Sequence, residues 1–231
     1  MEKISKMLKY IFSLSLVCNF LVCWGQQAEI DSPKPKESGI SVGINLAPFI
    51  VQLFEKERMG FEANARYVLN QKWQMVGEAG FEHVDFKKDQ YHYKSDGTFL
   101  RAGLDYNFFK VEEIGNNDNI LAGIRYGAGF QKHESAYFQV DDAYWGNYIS
   151  EKGLPLSPVN SHWVEFVFGL RSEVMKNFYM GWTVRLKRLL AVNTESVLEP
   201  YTVPGYGHRD NETNLSFTYT IEYQIPFKSK K

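Results

Sequence analysis

The sequence predicts an all-β chain, an eight-stranded antiparallel up-and-down transmembrane β-barrel that follows a cleaved signal peptide. Three observations predict it. The N-terminus is built like an export signal. The chain beyond it alternates apolar and polar residues with a period of two, with no sustained helical spacing. The connections between the alternating segments sort into short ones on one rim and long ones on the other.

Lys3, Lys6 and Lys9 form a positive n-region, Ile11 to Val22 an apolar h-region, and Cys23-Trp24-Gly25 a small-x-small cleavage site. The apolar run is broken by Ser13, Ser15 and Asn19 and is shorter than the roughly 20 residues of a spanning helix. Val17 and Val22 precede the two cysteines, where a lipoprotein signal carries a small residue. Of the chain's 26 basic and 27 acidic residues, residues 1–25 take 3 and 1, leaving a formal charge of −3. That balance excludes a general nucleic-acid binder. Both cysteines, Cys18 and Cys23, leave with the signal, so residues 26–231 hold no disulfide, thiolate metal site or cysteine nucleophile. Residues 26–39 are polar, carry Pro33 and Pro35, and read as a flexible periplasmic leader. The barrel is expected over 40–227, with a basic tail at 228–231.

Eight segments alternate: 40–50, 59–68, 73–85, 98–109, 119–131, 162–174, 178–188 and 214–227. In Met59 to Tyr67, for instance, Phe61, Ala63, Ala65 and Tyr67 fall on one face and Glu62, Asn64 and Arg66 on the other. Each segment has the length that a tilted strand needs to cross a bilayer. Tight turns at Asn70-Gln71-Lys72 and Met175-Lys176-Asn177, and a moderate connection at 111–118, define one rim. The first connection, Gln52–Arg58, is short, whereas 86–97, 132–161 and 189–213 are long and lie on the opposite rim.

Alternation alone does not say which face lies inside, because a soluble lipocalin-like carrier alternates too. Aromatics on the apolar face cluster near the segment ends: Tyr67, Trp73, Tyr106, Phe108, Phe178 and Tyr223 toward the short turns, Phe61, Phe81, Phe130 and Phe217 toward the long loops. Two such girdles suit two membrane interfaces. The polar face supplies small residues, Gly43, Gly103, Gly123, Gly127, Gly129, Gly169 and Gly181, which a narrow bore needs beside large ones. Its charges nearly balance and favour arginine over lysine. Glu62, Glu78, Glu82, Asp105, Glu165, Glu173 and Glu222 stand against Arg66, Arg101, Arg125, Arg171, Arg185 and Lys187. The planar guanidinium fork suits a desolvated carboxylate, so these residues are expected to fill the lumen by mutual pairing.

The last segment ends Tyr223-Gln224-Ile225-Pro226-Phe227, the aromatic terminal strand that barrel assembly machinery reads, although four residues follow the Phe. Leu100 to Phe108, Ala143-Tyr144-Trp145-Gly146 and Met180 to Lys187 resemble an uncharacterised outer-membrane protein family of the Bacteroides group, within the small eight-stranded outer-membrane β-barrels. The resemblance implies an outer-membrane location beside lipopolysaccharide and adds nothing on mechanism.

No phosphate loop, dinucleotide fingerprint, His-Glu-x-x-His or Gly-x-Ser-x-Gly occurs, so no cofactor and no catalytic residue is assigned. His83, His92, His133, His162 and His208 all fall toward the long-loop rim, near Asp85, Glu134, Asp141, Asp142 and Asp210, but without metal-ligand spacing. The loops are aromatic, and Tyr137, Phe138, Asp141, Asp142, Tyr144, Trp145, Tyr148, Tyr201 and Tyr206 are expected to form an extracellular binding surface for an unidentified ligand. The expected role is structural or surface-binding. The alternatives are a lipid-modifying barrel enzyme using Ser161-His162 with Glu165 or His133-Glu134-Ser135, and a periplasmic lipocalin-like carrier.

Overall fold

The computed structural model describes residues 39–70, 72–87, 91–109, 117–142, 146–150, 154–194 and 199–227. The elements in chain order are β1 (Gly39–Asn45), α1 (Ala47–Phe54), β2 (Arg58–Val68), β3 (Trp73–Lys87), β4 (Tyr91–Asn107), β5 (Asn119–Asp142), β6 (Gly146–Ser150), β7 (Leu154–Met175), β8 (Phe178–Thr194), β9 (Thr202–Val203), β10 (Gly207–His208) and β11 (Thr213–Pro226). Eight of them form one antiparallel meander that closes on itself: β1-β2-β3-β4-β5-β7-β8-β11 and back to β1. The seam pairs the first strand with the last, from Gly39 opposite Pro226 to Asn45 opposite Thr220. Closure pairs every wall strand on both sides and leaves the wall no edge.

Period-two sequence becomes an inside and an outside. On β2, Glu62, Asn64 and Arg66 are buried while Tyr67 on the opposite parity is exposed. On β7, Trp163, Glu165, Val167 and Arg171 point inward, and Phe166, Phe168 and Leu170 are exposed on the outer wall. The wall is thus apolar and the bore charged, the reverse of a carrier barrel with an apolar cavity. Bore-facing glycines allow close approach where the large side chains cross. A Cβ on Gly127 would collide with the Trp163 ring, and one on Gly123 with the Asp105 carboxylate.

The short turns behave as their residues dictate. Asn70 Oδ1 accepts from the Lys72 and Trp73 amides at 2.9 and 2.8 Å, an Asx turn. Asn177, at φ 65°, supplies the left-handed residue between β7 and β8.

At the other rim the structure corrects the sequence reading. The first strand, expected to run to residue 50, stops at Asn45, because Pro48 has no amide for the ladder but suits the first turn of a helix. Asn45 Oδ1 accepts from the amides of Ala47 and Tyr219, at 3.0 and 3.2 Å, and turns the chain out of the sheet into α1. Two of the three expected long loops, 86–97 and 132–161, are largely strand among the described residues. β3 and β4 stay paired to Lys87 opposite His92, β5 runs on to Asp142 and pairs with β6, and β7 begins at Leu154. Beyond the apolar wall the buried face mixes polar and apolar side chains, Ser95 and His133 beside Tyr93 and Val159, so the contrast in residue type fades while backbone pairing continues.

Candidate functional site

Two layers of side chains occupy the bore. The lower layer is a network of five arginines and five carboxylates, all buried. Arg101 reaches Glu62, Glu78 and Glu165 at 2.6, 2.9 and 3.3 Å. Arg185 grips Glu78 with both Nη atoms, at 2.6 and 2.9 Å, and reaches Glu165 at 3.3 Å. Arg125 grips Asp105 in the same forked way, at 2.7 and 3.0 Å, and donates from Nε to Glu78 at 3.2 Å. Arg66 joins Asp105 at 2.5 Å to Glu222 at 3.6 Å, and Arg171 meets Glu222 at 2.7 Å. The Arg171 guanidinium also lies 3.5 Å over the Tyr179 ring. Forked pairing satisfies several donors per charge and so offsets the cost of removing charge from water.

Neutral side chains of the same strand parity complete the network, and of these the sequence reading places only Asn64 on the polar face. Asn64 donates to Glu222 at 2.8 Å, Ser41 accepts from Arg171 at 2.9 Å, and Trp163 Nε1 donates to Glu165 at 2.7 Å. Gln74 accepts from Arg66 at 3.1 Å and donates to Asn119, which also accepts from Asn107. For all but Ser41, even spacing from a charged residue of the same strand is the available signal, as for Asn64 from Glu62, Gln74 from Glu78, Asn107 from Asp105 and Trp163 from Glu165.

Two residues expected in the network lie outside it, and a third, Lys187, stands at its upper edge near Glu165. Glu82 sits higher and pairs with Arg58 at 3.0 Å. Glu173 lies at the short-turn rim, where it accepts from Asn117 and from the Asn177 amide. Lys187 donates to the carbonyls of Gly205 and Tyr206, at 2.6 and 3.4 Å.

Those carbonyls belong to the upper layer. After β8 the chain returns as a miniature hairpin, β9 paired with β10, whose tip enters the mouth of the bore. Val203 and Tyr206 are 0% and 1% exposed and pack with Phe99, Trp163 and Leu189, inward residues of three strands. Gln131 on β5 donates to the Thr202 carbonyl at 3.0 Å. Gly205 turns the tip at φ 74°, and a Cβ there would stand 2.6 Å from the Phe99 ring, so conformation and space both require glycine. This hairpin is a plug.

The expected loop surface is divided by the structure. Tyr206 is not on a surface: it is buried in the plug, with its hydroxyl donating to the Asn211 carbonyl at 2.7 Å. Tyr201 is exposed, 39%, in an aromatic group with Phe86, Tyr93 and His208. Tyr137, Phe138, Asp141 and Asp142 lie along β5 and Tyr148 on β6, in ordered ribbon instead of loop. Tyr144 and Trp145 lie outside the described residues.

The histidines are dispersed. His83 pairs with Asp96 at 2.5 Å, His92 with Asp85 at 2.6 Å, and His162 with the Tyr126 hydroxyl at 3.0 Å. Among the described residues no three metal-binding side chains come together. Ser161 is buried and donates to the Gly129 carbonyl at 3.4 Å, whereas His162, its neighbour on the strand, faces outward. Ser161 and His162 therefore form no nucleophile and base pair.

His133, 1% exposed, differs from the others: it packs edge-on to Tyr93 behind the plug, and neither ring nitrogen has a partner among the described residues. It lies above Phe130, outside the wall's apolar belt. Burial there lowers its pKa from the ordinary 6.5. The unfolded chain therefore takes up this proton first, and stability falls as pH drops below about 6.5 and is level above it. We expect the temperature of the boiling-induced mobility shift to fall from about pH 7.5 to about pH 5, and to fall less in His133→Phe. Equal falls in both proteins would remove His133 as the cause.

A family model described as "Domain of unknown function (DUF6048)" matches residues 7–230. No curated protein matches the chain. Solved structures similar to it include Ail, the attachment invasion locus protein of Yersinia pestis, at 12% identity and TM-score 0.41 over 83% of this chain and 100% of that one. A major outer membrane protein from Thermus thermophilus aligns at 10% identity and TM-score 0.43, covering 82% of this chain and 98% of that one. CarO2 of Acinetobacter baumannii aligns at 9% identity and TM-score 0.43, with the same coverage of 82% and 98%.

Proposed function

The chain belongs to the DUF6048 family, whose description assigns no activity, and from the geometry of wall and bore we propose that it is an outer-membrane β-barrel with a closed, charge-filled lumen that displays extracellular β-ribbons as a binding surface. The observation that carries the reading is the pairing of an apolar wall with a bore filled by ion pairs. Exposed Phe166, Phe168, Ile124 and Leu186 would be costly in water over so large an area and are at home in lipid. The buried arginines and carboxylates, paired with one another, leave solute no path.

In this reading residues 1–25 direct export, and the exposed Tyr201 group and the β5–β6 ribbon, which carries Asp141, Asp142 and Tyr148, face the cell exterior beside lipopolysaccharide. The aromatic end of β11, Tyr223 to Phe227, supplies the strand that assembly machinery pairs before β1 closes the seam. The resemblance to Bacteroides-group barrels belongs to this reading.

Two measurements test it. The protein should fractionate with the outer membrane and change gel mobility on boiling. Reconstituted in a planar bilayer, it should conduct no more than the bare membrane, and steady passage of sizeable solutes would defeat the closed lumen. Recovery from the soluble periplasm with no mobility shift would defeat the membrane reading itself.

A further inference from the structure

Helix α1, Ala47–Phe54, joins β1 to β2 at the long-loop rim, and among its residues none is buried. Its sequence, Ala-Pro-Phe-Ile-Val-Gln-Leu-Phe, holds a single polar side chain. Phe49, Ile50 and Phe54 are exposed, and Leu53 is 76% exposed. At about 100° per residue these four positions span an arc of about 140°, one continuous apolar face.

The helix packs on the outside of the barrel. The Phe49 ring centroid lies 6.2 Å from that of Phe61, and Phe61 stacks at 6.2 Å on Phe81, an exposed residue of the wall. Phe61 and Phe81 belong to the upper aromatic girdle, directly opposite one another in the β2–β3 ladder. The exposed face of α1 therefore continues that girdle outward at the same height. Charge begins where the helix ends: Glu55, Lys56, Glu57 and Arg58 follow Phe54 without a break. Arg58 ties this end back to the rim through Glu82 at 3.0 Å and lies 3.9 Å from Glu55. An apolar arc level with the girdle, closed off by charges at its end, is the build of a helix lying in a membrane interface.

We propose that α1 is an interfacial anchor whose Phe49-Ile50-Leu53-Phe54 face is covered by acyl chains of the outer leaflet. It rests on the membrane reading above. The helix widens the barrel's footprint on the β1–β2 side, so lipid packed there is held by a helix as well as by strands. A second copy of the chain seated on the same face is the competing occupant, and the continuity with the lipid-facing girdle favours lipid over it.

The test uses the protein in phosphatidylcholine vesicles containing lipids brominated at shallow or deep acyl positions. Leu53→Trp adds a tryptophan at the most exposed position of the helix, and Phe54→Trp adds one by aromatic exchange. The added emission is expected to be quenched as strongly as that of the wall residue Trp182, and more by the shallow bromines than by the deep ones. Added emission that resists brominated lipid and is quenched by aqueous acrylamide would overturn the proposal. So would Leu53→Cys proteins that cross-link to one another through the helix with a yield that rises with protein density, which assigns the face to a second copy. In the unmodified protein, Trp73 and Trp182 stand on the outer wall and report on the barrel alone. If they too escape brominated lipid, the membrane reading fails; if they are quenched and the added residue is not, only the anchor fails.

Discussion

Glu78→Gln is expected to destabilise the barrel by about 3–5 kcal/mol, the cost of removing one partner from a buried charge network. Glu78 is the carboxylate on which three guanidinium groups converge, Arg101 at 2.9 Å, Arg125 at 3.2 Å and Arg185 at 2.6 Å. Glutamine keeps the shape and one acceptor oxygen but leaves five buried arginines facing four carboxylates. The surplus charge is buried, because Arg101, Arg125 and Arg185 lie under the plug and within the strand walls.

Unfolding by urea in detergent, followed by gel mobility, measures the loss. Arg185→Met should be costly for the mirror reason, leaving a surplus carboxylate. The double variant restores neutrality and should lose clearly less than the sum of the two single variants. Glu212→Gln provides the contrast, since its partner Arg188 and Glu212 itself are 55% and 76% exposed, and it should stay within about 0.5 kcal/mol of the parent. Equal effects at Glu78 and Glu212 would mean that the bore is wet and its ion pairs are screened.

These charges were legible in the sequence because the barrel wall imposes a period of two. Once Tyr67 is outside, Arg66, Asn64 and Glu62 must be inside, and the same parity places Arg101 with Asp105 and Glu165 with Arg171. Parity sets a face and leaves the partner open. Lys187 is inward like Arg185, yet its ammonium meets carbonyls of a hairpin whose position depends on bore diameter and on Gly205, both tertiary properties. Tyr206 misled for the same reason. A tyrosine among Gly and Pro reads as loop surface, and only a mouth lined by Phe99 and Trp163 makes it core. The helix was illegible on different grounds: Phe49 to Phe54 is apolar nearly throughout, so it carries no polar contrast from which a period could be read. The extensions of β3, β4, β5 and β7 escaped because their buried face carries Ser95 and His133 as well as Tyr93 and Val159, so residue type no longer marks the face.

Trp163→Ala is expected to cost about 3–5 kcal/mol and to release the plug. Trp163 is 0% exposed and stands where the two layers of the bore meet. Above, its ring lies 6.0 Å from that of Tyr206 and packs with Val203; below, its indole N–H donates to Glu165 at 2.7 Å. Gly127 on the adjacent strand leaves the space that the ring fills. Alanine opens a cavity beneath the hairpin and deprives Glu165 of a donor, although Arg101 and Arg185 still hold that carboxylate. Trp163→Phe keeps most of the volume and loses the hydrogen bond alone, so it should cost about 1–3 kcal/mol. The two losses differ in where they act. Hydrogen exchange should rise in Trp163→Ala across 202–207 while the amides of β2 and β3 keep their protection, because the wall ladders close without the plug. In Glu78→Gln the wall should loosen together with the plug, since the network ties the strands across the bore. Unchanged protection of 202–207 in Trp163→Ala would show that the hairpin is held by Gln131, Lys187 and Phe99 without the tryptophan, and that the upper layer closes the bore independently of the lower one.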